Sequence, residues 1–134
     1  MKSLERDFEK FKAGPLLPTQ DRLHATLSSN GKIYLNKKLY RVLQKPAAVA
    51  LYYSRERDVI AVEPANPRFP QSFPVLECRM GYRIGAGPFV GHFHIRTKNT
   101  VRFVRPDMTD SGALLLDLRN TVNVTERRSS RNGK

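Results

Sequence analysis

Residues 26–64 read TLSSNGKIYLNKKLYRVLQKPAAVALYYSRERDVIAVEP, and this stretch decides the fold. Gly31 opens an extended segment in which Ile33 and Leu35 fall on one face, the alternation of a strand with one buried face. Asn36 follows where a helix would begin, and its side chain can accept a hydrogen bond from a free backbone N–H group. The stretch therefore predicts a strand that passes directly into a short, capped helix.

The helix is predicted to begin at Lys37 and to end before Pro46, because the residue before a proline is biased away from helical geometry. Leu39, Val42 and Leu43 fall at helical spacing, so that one face of two turns is apolar. Two runs rich in β-branched and aromatic residues follow, at 48–53 and 59–62, and the polar residues 54–58 join them. This pattern predicts a β-hairpin after the helix.

The same stretch resembles the AbrB/SpoVT/MraZ group of swapped-hairpin DNA-binding domains. The residues that match the family pattern, in order, are Gly31, Lys32, Ile33, Leu35, Lys37, Leu39 and Leu43. Asn36 stands where the family usually has proline. The resemblance implies a mainly β fold, a small swapped-hairpin, double-psi-like barrel made of two β-α-β-β halves, and a role in binding DNA.

A second, degenerate copy of the pattern is predicted after residue 74, with extended segments at 73–78 and 81–84, a helix within 88–95 and strands at 100–104 and 113–118. The aligned positions are Gly31 with Gly81, Leu39 with Phe89 and Leu43 with Phe93, while Arg83 and Gly85 replace the apolar pair Ile33 and Leu35. MraZ-like proteins carry both halves in one chain. The resemblance thus implies a barrel that closes as a monomer, with low-order homo-oligomers as the alternative.

The whole chain divides into five segments. Residues 1–22 hold an amphipathic helix and a linker, 23–65 the first half, and 75–120 the second half. The connector 66–74 is rich in proline, and the proline-bearing stretch 64–74 is predicted to be neither a helix nor a central strand. The Arg-rich residues 121–134 are predicted to form a disordered tail, because they cannot bury enough apolar area to offset the entropy of ordering.

The charge of the chain indicates an anionic partner. Lys and Arg number 24 against 12 Asp and Glu, and the formal net charge is +12, which favours nucleic acid. By position, the family resemblance implies DNA contacts from four residues of the strand–turn–helix segment: Lys32, Lys37, Lys38 and Arg41. The lysines would contact phosphates and Arg41 a base edge. Four further cations occupy the corresponding part of the second half: Arg79, Arg83, Arg96 and Lys98.

Catalytic, cofactor and metal chemistry is not indicated. No phosphate-binding loop, nucleophile elbow or paired carboxylates stand out, and His92 and His94 would point apart on the predicted helix. A single cysteine, Cys78, suits a reducing cytoplasm, and no apolar run reaches membrane-spanning length. The predicted function is binding of double-stranded DNA by a transcriptional regulator, with RNA as a possible partner. The alternative is a barrel-type protein-interaction or assembly module that binds no nucleic acid.

Overall fold

The computed structural model describes residues 22–124, so the predicted helix within residues 3–13 and the tail beyond residue 124 lie outside the described part. Strands account for 43% of the structure and helices for 12%, which confirms the mainly β class. The strands form one curled, antiparallel, ten-stranded half-barrel, with two short helices. Neither helix, in the part that the structure describes, is long and apolar enough to span a membrane.

The first half follows the predicted order of elements. It comprises β1 (Ala25–Leu27), β2 (Lys32–Leu35), α1 (Lys37–Val42), β3 (Ala48–Ser54) and β4 (Val59–Ala65). The second half repeats this order and adds a small hairpin. It comprises β5 (Phe73–Cys78), β6 (Gly81–Gly85), α2 (Gly87–His92), β7 (Val101–Phe103), β8 (Asp107–Met108), β9 (Leu114–Asp117) and β10 (Thr121–Asn123).

The two halves interlock in a nearly palindromic strand order, β10-β7-β1-β2-β6-β5-β3-β4-β9-β8. The centre lies between β2 and β6, which pair antiparallel. On each side of this centre, the hairpin of one half is followed by a strand of the other: β7 lies beside β1, and β3 lies beside β5. Each half therefore completes the sheet of its partner half within one chain.

The register of β2 and β6 shows which residue of the second half faces the core. Ile33 lies directly opposite Ile84, and both side chains are fully buried. Arg83 is half-buried opposite Tyr34, and Gly85 is exposed. Because residues directly opposite each other share a face of the sheet, the buried apolar position of the second half is Ile84. The second half therefore also has a buried apolar residue in this strand, whereas Arg83, which the sequence pattern aligns with Ile33, is only half-buried.

Asn36 caps α1 as the sequence predicts. Its Oδ1 accepts a hydrogen bond from the Leu39 N–H at 3.0 Å, and its Nδ2 donates to the Arg22 carbonyl oxygen at 2.7 Å. The His24 N–H also donates to this Oδ1, at 3.3 Å. Asn36 is buried, and its side chain joins the beginning of α1 to the segment that enters β1. A proline, which the resembled family usually has here, could supply none of these hydrogen bonds.

The structure differs from the sequence-based prediction at the prolines. Pro64 lies in β4 and Pro74 lies in β5, which is a central strand between β6 and β3. β9 pairs with β4 only up to Val62, so one side of β4 is unpaired at Pro64 within the described residues. Pro74 occupies the end of the short β3–β5 ladder, opposite Ala48. Both positions suit a residue that has no backbone donor.

The tail also begins later than predicted. Thr121–Asn123 form β10, whose backbone pairs with β7, and Val122 lies opposite Arg102. The edge of β7 supplies hydrogen-bond partners that composition alone does not reveal. The ordered fold thus extends past residue 120, the predicted boundary of the second half.

The core draws on both halves and both helices. Leu39 and Leu43 of the α1 region and Phe89 of α2 are buried with residues of the sheet, among them Ile60 and Phe103. The two helices thus place their apolar faces against one common core, as the spacing of Leu39 with Leu43 and of Phe89 with Phe93 predicts.

Candidate functional site

A groove of about 710 Å³ lies where β2 passes into α1. His24 and Thr26 line it from the β1 side, residues 34–37 from β2 and the beginning of α1, and residues 78–83 from the β5–β6 hairpin. The groove is therefore formed by both halves. Each half supplies one wall, so the groove exists only when the two halves are packed together.

Gly81 permits the close approach that forms this groove. A Cβ atom at this position would lie 2.3 Å from the Leu35 carbonyl oxygen and 3.2 Å from the Asn36 Cα. The β5–β6 hairpin therefore packs against the backbone at the junction of β2 and α1. Only glycine fits at this contact, because the atoms it meets are backbone atoms that cannot rotate away.

Among the described residues, the charged side chains that line the groove are all positive. Lys37, Arg79 and Arg83 line it, and no carboxylate of residues 22–124 is among its lining residues. Within residues 22–124, none of these three cations forms an ion pair. A concave site lined by one sign of charge focuses the electrostatic potential and attracts anions. The groove can therefore bind a phosphate group by charge-assisted hydrogen bonds.

A row of cross-strand neighbours extends this surface over the outer face of the sheet. Arg102 of β7 lies opposite Thr26, Thr26 opposite Tyr34, and Tyr34 opposite Arg83. With neighbouring strands about 4.8 Å apart, the two arginine backbones are about 14 Å apart across β7, β1, β2 and β6. Tyr34 is half-buried between them. The outer face thus presents one aromatic ring between two guanidinium groups.

His24 contributes a neutral ring to the groove. Burial lowers the pKa of His24, and the positive charges of Arg22 and Arg102 lower it further. Its Nδ1 atom is buried and has no hydrogen-bond partner among the described residues. The ring of His24 therefore adds no positive charge to the lining, and its Nδ1 atom is not exposed to the groove.

The four predicted contact residues lie on two elements, three on α1 and one on β2, and only one of them lines the groove. Lys37 and Arg41 are exposed and four residues apart on α1, opposite the buried Leu39. Lys38 is half-buried on the same helix. Lys32 is half-buried on β2, opposite Gly85, and does not line the groove. Of these four residues, Lys37 alone belongs to the groove.

The second half supplies the other groove cations. Arg79 and Arg83 line the groove, whereas Arg96 and Lys98 lie in the segment between α2 and β7. The α2 helix, GPFVGH, contains no lysine or arginine, so the two helices differ in charge although they correspond in the fold. The basic surface therefore includes α1 but not α2.

Sequence reasoning missed the uncharged members of the groove, above all Tyr34, His24 and Met80. The alternation of Lys32 and Tyr34 with Ile33 indicates that Tyr34 lies on the outer face, but not that Arg83 lies opposite it. The far wall is the two-residue turn Arg79–Met80 between Cys78 and Gly81, and neither of the two is a typical turn residue, so no local signal marked it.

Comparisons of the chain with protein-family models, with curated proteins and with solved structures found no match. The site is therefore interpreted from its own geometry. Among the described residues no three His, Cys, Asp or Glu side chains come together as metal ligands. His92 ends α2 with its ring edge-on to Phe93, and His94 has a positive φ of 57°.

Proposed function

We propose that this protein binds nucleic acid, with double-stranded DNA as the first partner to test and transcriptional regulation as its role. The observation that carries the proposal is the groove, whose charged lining within the described part of the chain consists of Lys37, Arg79 and Arg83. The exposed Arg41 lies one helical turn from Lys37 and extends the basic surface along α1. The net charge of +12 agrees with a partner that is a polyanion.

The resemblance to swapped-hairpin domains supports the same proposal. The palindromic strand order, in which each hairpin is flanked by a strand of the other half, is what an interlocked pair of such halves requires. In this proposal, the lysines and arginines of the groove and of α1 contact phosphates, and Arg41 contacts a base edge. The single chain contains both halves, so the proposed binding unit is a monomer.

The salt dependence of binding tests the proposal. We expect the affinity for a random duplex to fall steeply with salt, because each phosphate that is neutralised releases counterions. Three charge-matched variants separate the surfaces: K37Q/R79Q/R83Q for the groove, K32Q/K38Q/R41Q for the strand and helix, and R57Q/R68Q/R105Q as the control at exposed positions elsewhere. Loss of each phosphate contact should reduce the slope of log affinity against log salt by about one.

Fluorescence anisotropy of a labelled duplex at several salt concentrations measures the affinity and its salt slope. Circular dichroism confirms that each variant is folded. Equal weakening by all three variants would show that net charge alone attracts DNA, and the proposed interface would be wrong. An affinity that hardly changes with salt would favour the alternative, a protein-interaction module with a mainly apolar interface.

A further inference from the structure

The groove combines three features that phosphate contact alone does not require. Its volume of about 710 Å³ lies in the range of small-molecule sites, about 300–1,000 Å³. Met80 lines it and is 79% exposed, so its apolar surface is accessible to a bound ligand. The half-buried aromatic ring of Tyr34 belongs to the same lining.

Tyr34 is the aromatic ring in this lining that is free to stack. Tyr82 also lines the groove, but its ring is stacked on Tyr40, with centroids 3.7 Å apart. Among residues 22–124, the ring of Tyr34 contacts no other aromatic ring. Tyr34 also lies directly opposite Arg83, which places a guanidinium group beside the ring.

We propose that the groove binds one nucleotide, with its base against Tyr34 and Met80 and its phosphate bound by Lys37, Arg79 and Arg83. A base is a flat aromatic group that stacks on tyrosine irrespective of its identity. A phosphate matches the fork geometry of two arginines.

The occupant is either a free mononucleotide or an unpaired nucleotide of a strand, since both present the same chemistry. A base within a duplex cannot stack on Tyr34, because both of its faces are covered by neighbouring bases. The inference therefore rests on the proposed function and narrows it: the groove takes an unpaired nucleotide, while the α1 surface contacts the backbone.

Tryptophan fluorescence tests the inference, because the chain contains no tryptophan. The Y34W variant places one fluorophore in the groove, and Y52W places one on β3, where Tyr52 is 54% exposed outside the groove. The probes are 5′-AMP, adenosine, inorganic phosphate, an eight-residue oligothymidylate and a blunt duplex. Circular dichroism confirms folding of both variants.

We expect saturable quenching of Y34W, but not of Y52W, by the oligothymidylate or by 5′-AMP. Saturable quenching by 5′-AMP would show that a free nucleotide is sufficient to occupy the groove. Saturable quenching by the oligothymidylate alone would show that the occupant is a nucleotide within a strand. Adding R79Q or R83Q to Y34W should weaken binding about tenfold for each arginine removed, since each phosphate contact is charge-assisted. If Y34W fails to fold, Y34L with a labelled oligothymidylate gives the same test, with loss of binding as the expected result.

Absence of quenching by every probe would overturn the inference, as would equal quenching by inorganic phosphate, in which no base is present. Quenching by the duplex as strong as by the oligothymidylate would also overturn it. If duplex DNA still binds with a steep salt slope while Y34W stays silent, the nucleotide site is wrong and the proposed function stands. If neither duplex nor nucleotide binds, both fail.

Discussion

Leu39→Ala is expected to lower the free energy of unfolding by about 2–5 kcal/mol, the range for truncation of a buried leucine. The Leu39 side chain is completely buried and lies in the core formed by both halves. Val42 belongs to the same helix but is 40% exposed, so Val42→Ala serves as the matched control and should cost much less. Urea unfolding followed by circular dichroism measures both variants. Equal effects of the two substitutions would mean that α1 does not pack on its leucine face.

The second large effect is expected at Gly81. In Gly81→Ala the new Cβ would meet the Leu35 carbonyl oxygen at 2.3 Å, so the β5–β6 hairpin must move away from the junction of β2 and α1. Overpacking of this kind destabilises by about 1–3 kcal/mol, and a contact with backbone atoms belongs at the upper end or beyond. The measurement is the midpoint of thermal unfolding.

Gly85→Ala is the control for this substitution, because Gly85 lies in the same strand and a Cβ there would meet no atom of residues 22–124 within 4 Å. An alanine also restricts the unfolded chain, so this variant should be neutral or slightly more stable. A Gly81→Ala protein as stable as Gly85→Ala would show that the hairpin does not approach β2 as closely as described.

Local pattern was sufficient to predict most elements of the sheet. The alternation of Ile33 and Leu35, the capping residue Asn36 and the spacing of Leu39 with Leu43 each act within a few residues of the chain, so each can be recognised in the sequence. The hairpin of β3 and β4 also follows from its flanking β-branched runs and its polar turn.

Features that depend on distant partners could not be predicted in this way. The sequence of β6 leaves open whether Ile84 or its neighbours Arg83 and Gly85 face the core. Only the pairing of β6 with β2 decides that Ile84 is buried. Pro74 is tolerated in a central strand because its ladder with β3 ends there. Ordering of Val122 depends on the edge of β7, which belongs to a strand about twenty residues earlier.

The candidate site shows the same limit. The net charge and the family resemblance pointed to Lys37, Arg79 and Arg83 as cations of interest. They did not predict that these three residues line one groove. The groove requires the contact of Gly81 with Leu35, a juxtaposition of residues from different halves. Tyr34 became a candidate only when the register placed Arg83 opposite it.

The interlocked strand order also means that strand pairing, and not only the connector, holds the two halves together. Among the described residues, four strand pairs join one half to the other: β1 with β7, β2 with β6, β3 with β5, and β4 with β9. If the backbone were cut between β4 and β5, each fragment would expose these edges, and neither could complete its sheet without the other. The connector is then a tether that raises the local concentration of each half around its partner, while the strand pairs hold the two together.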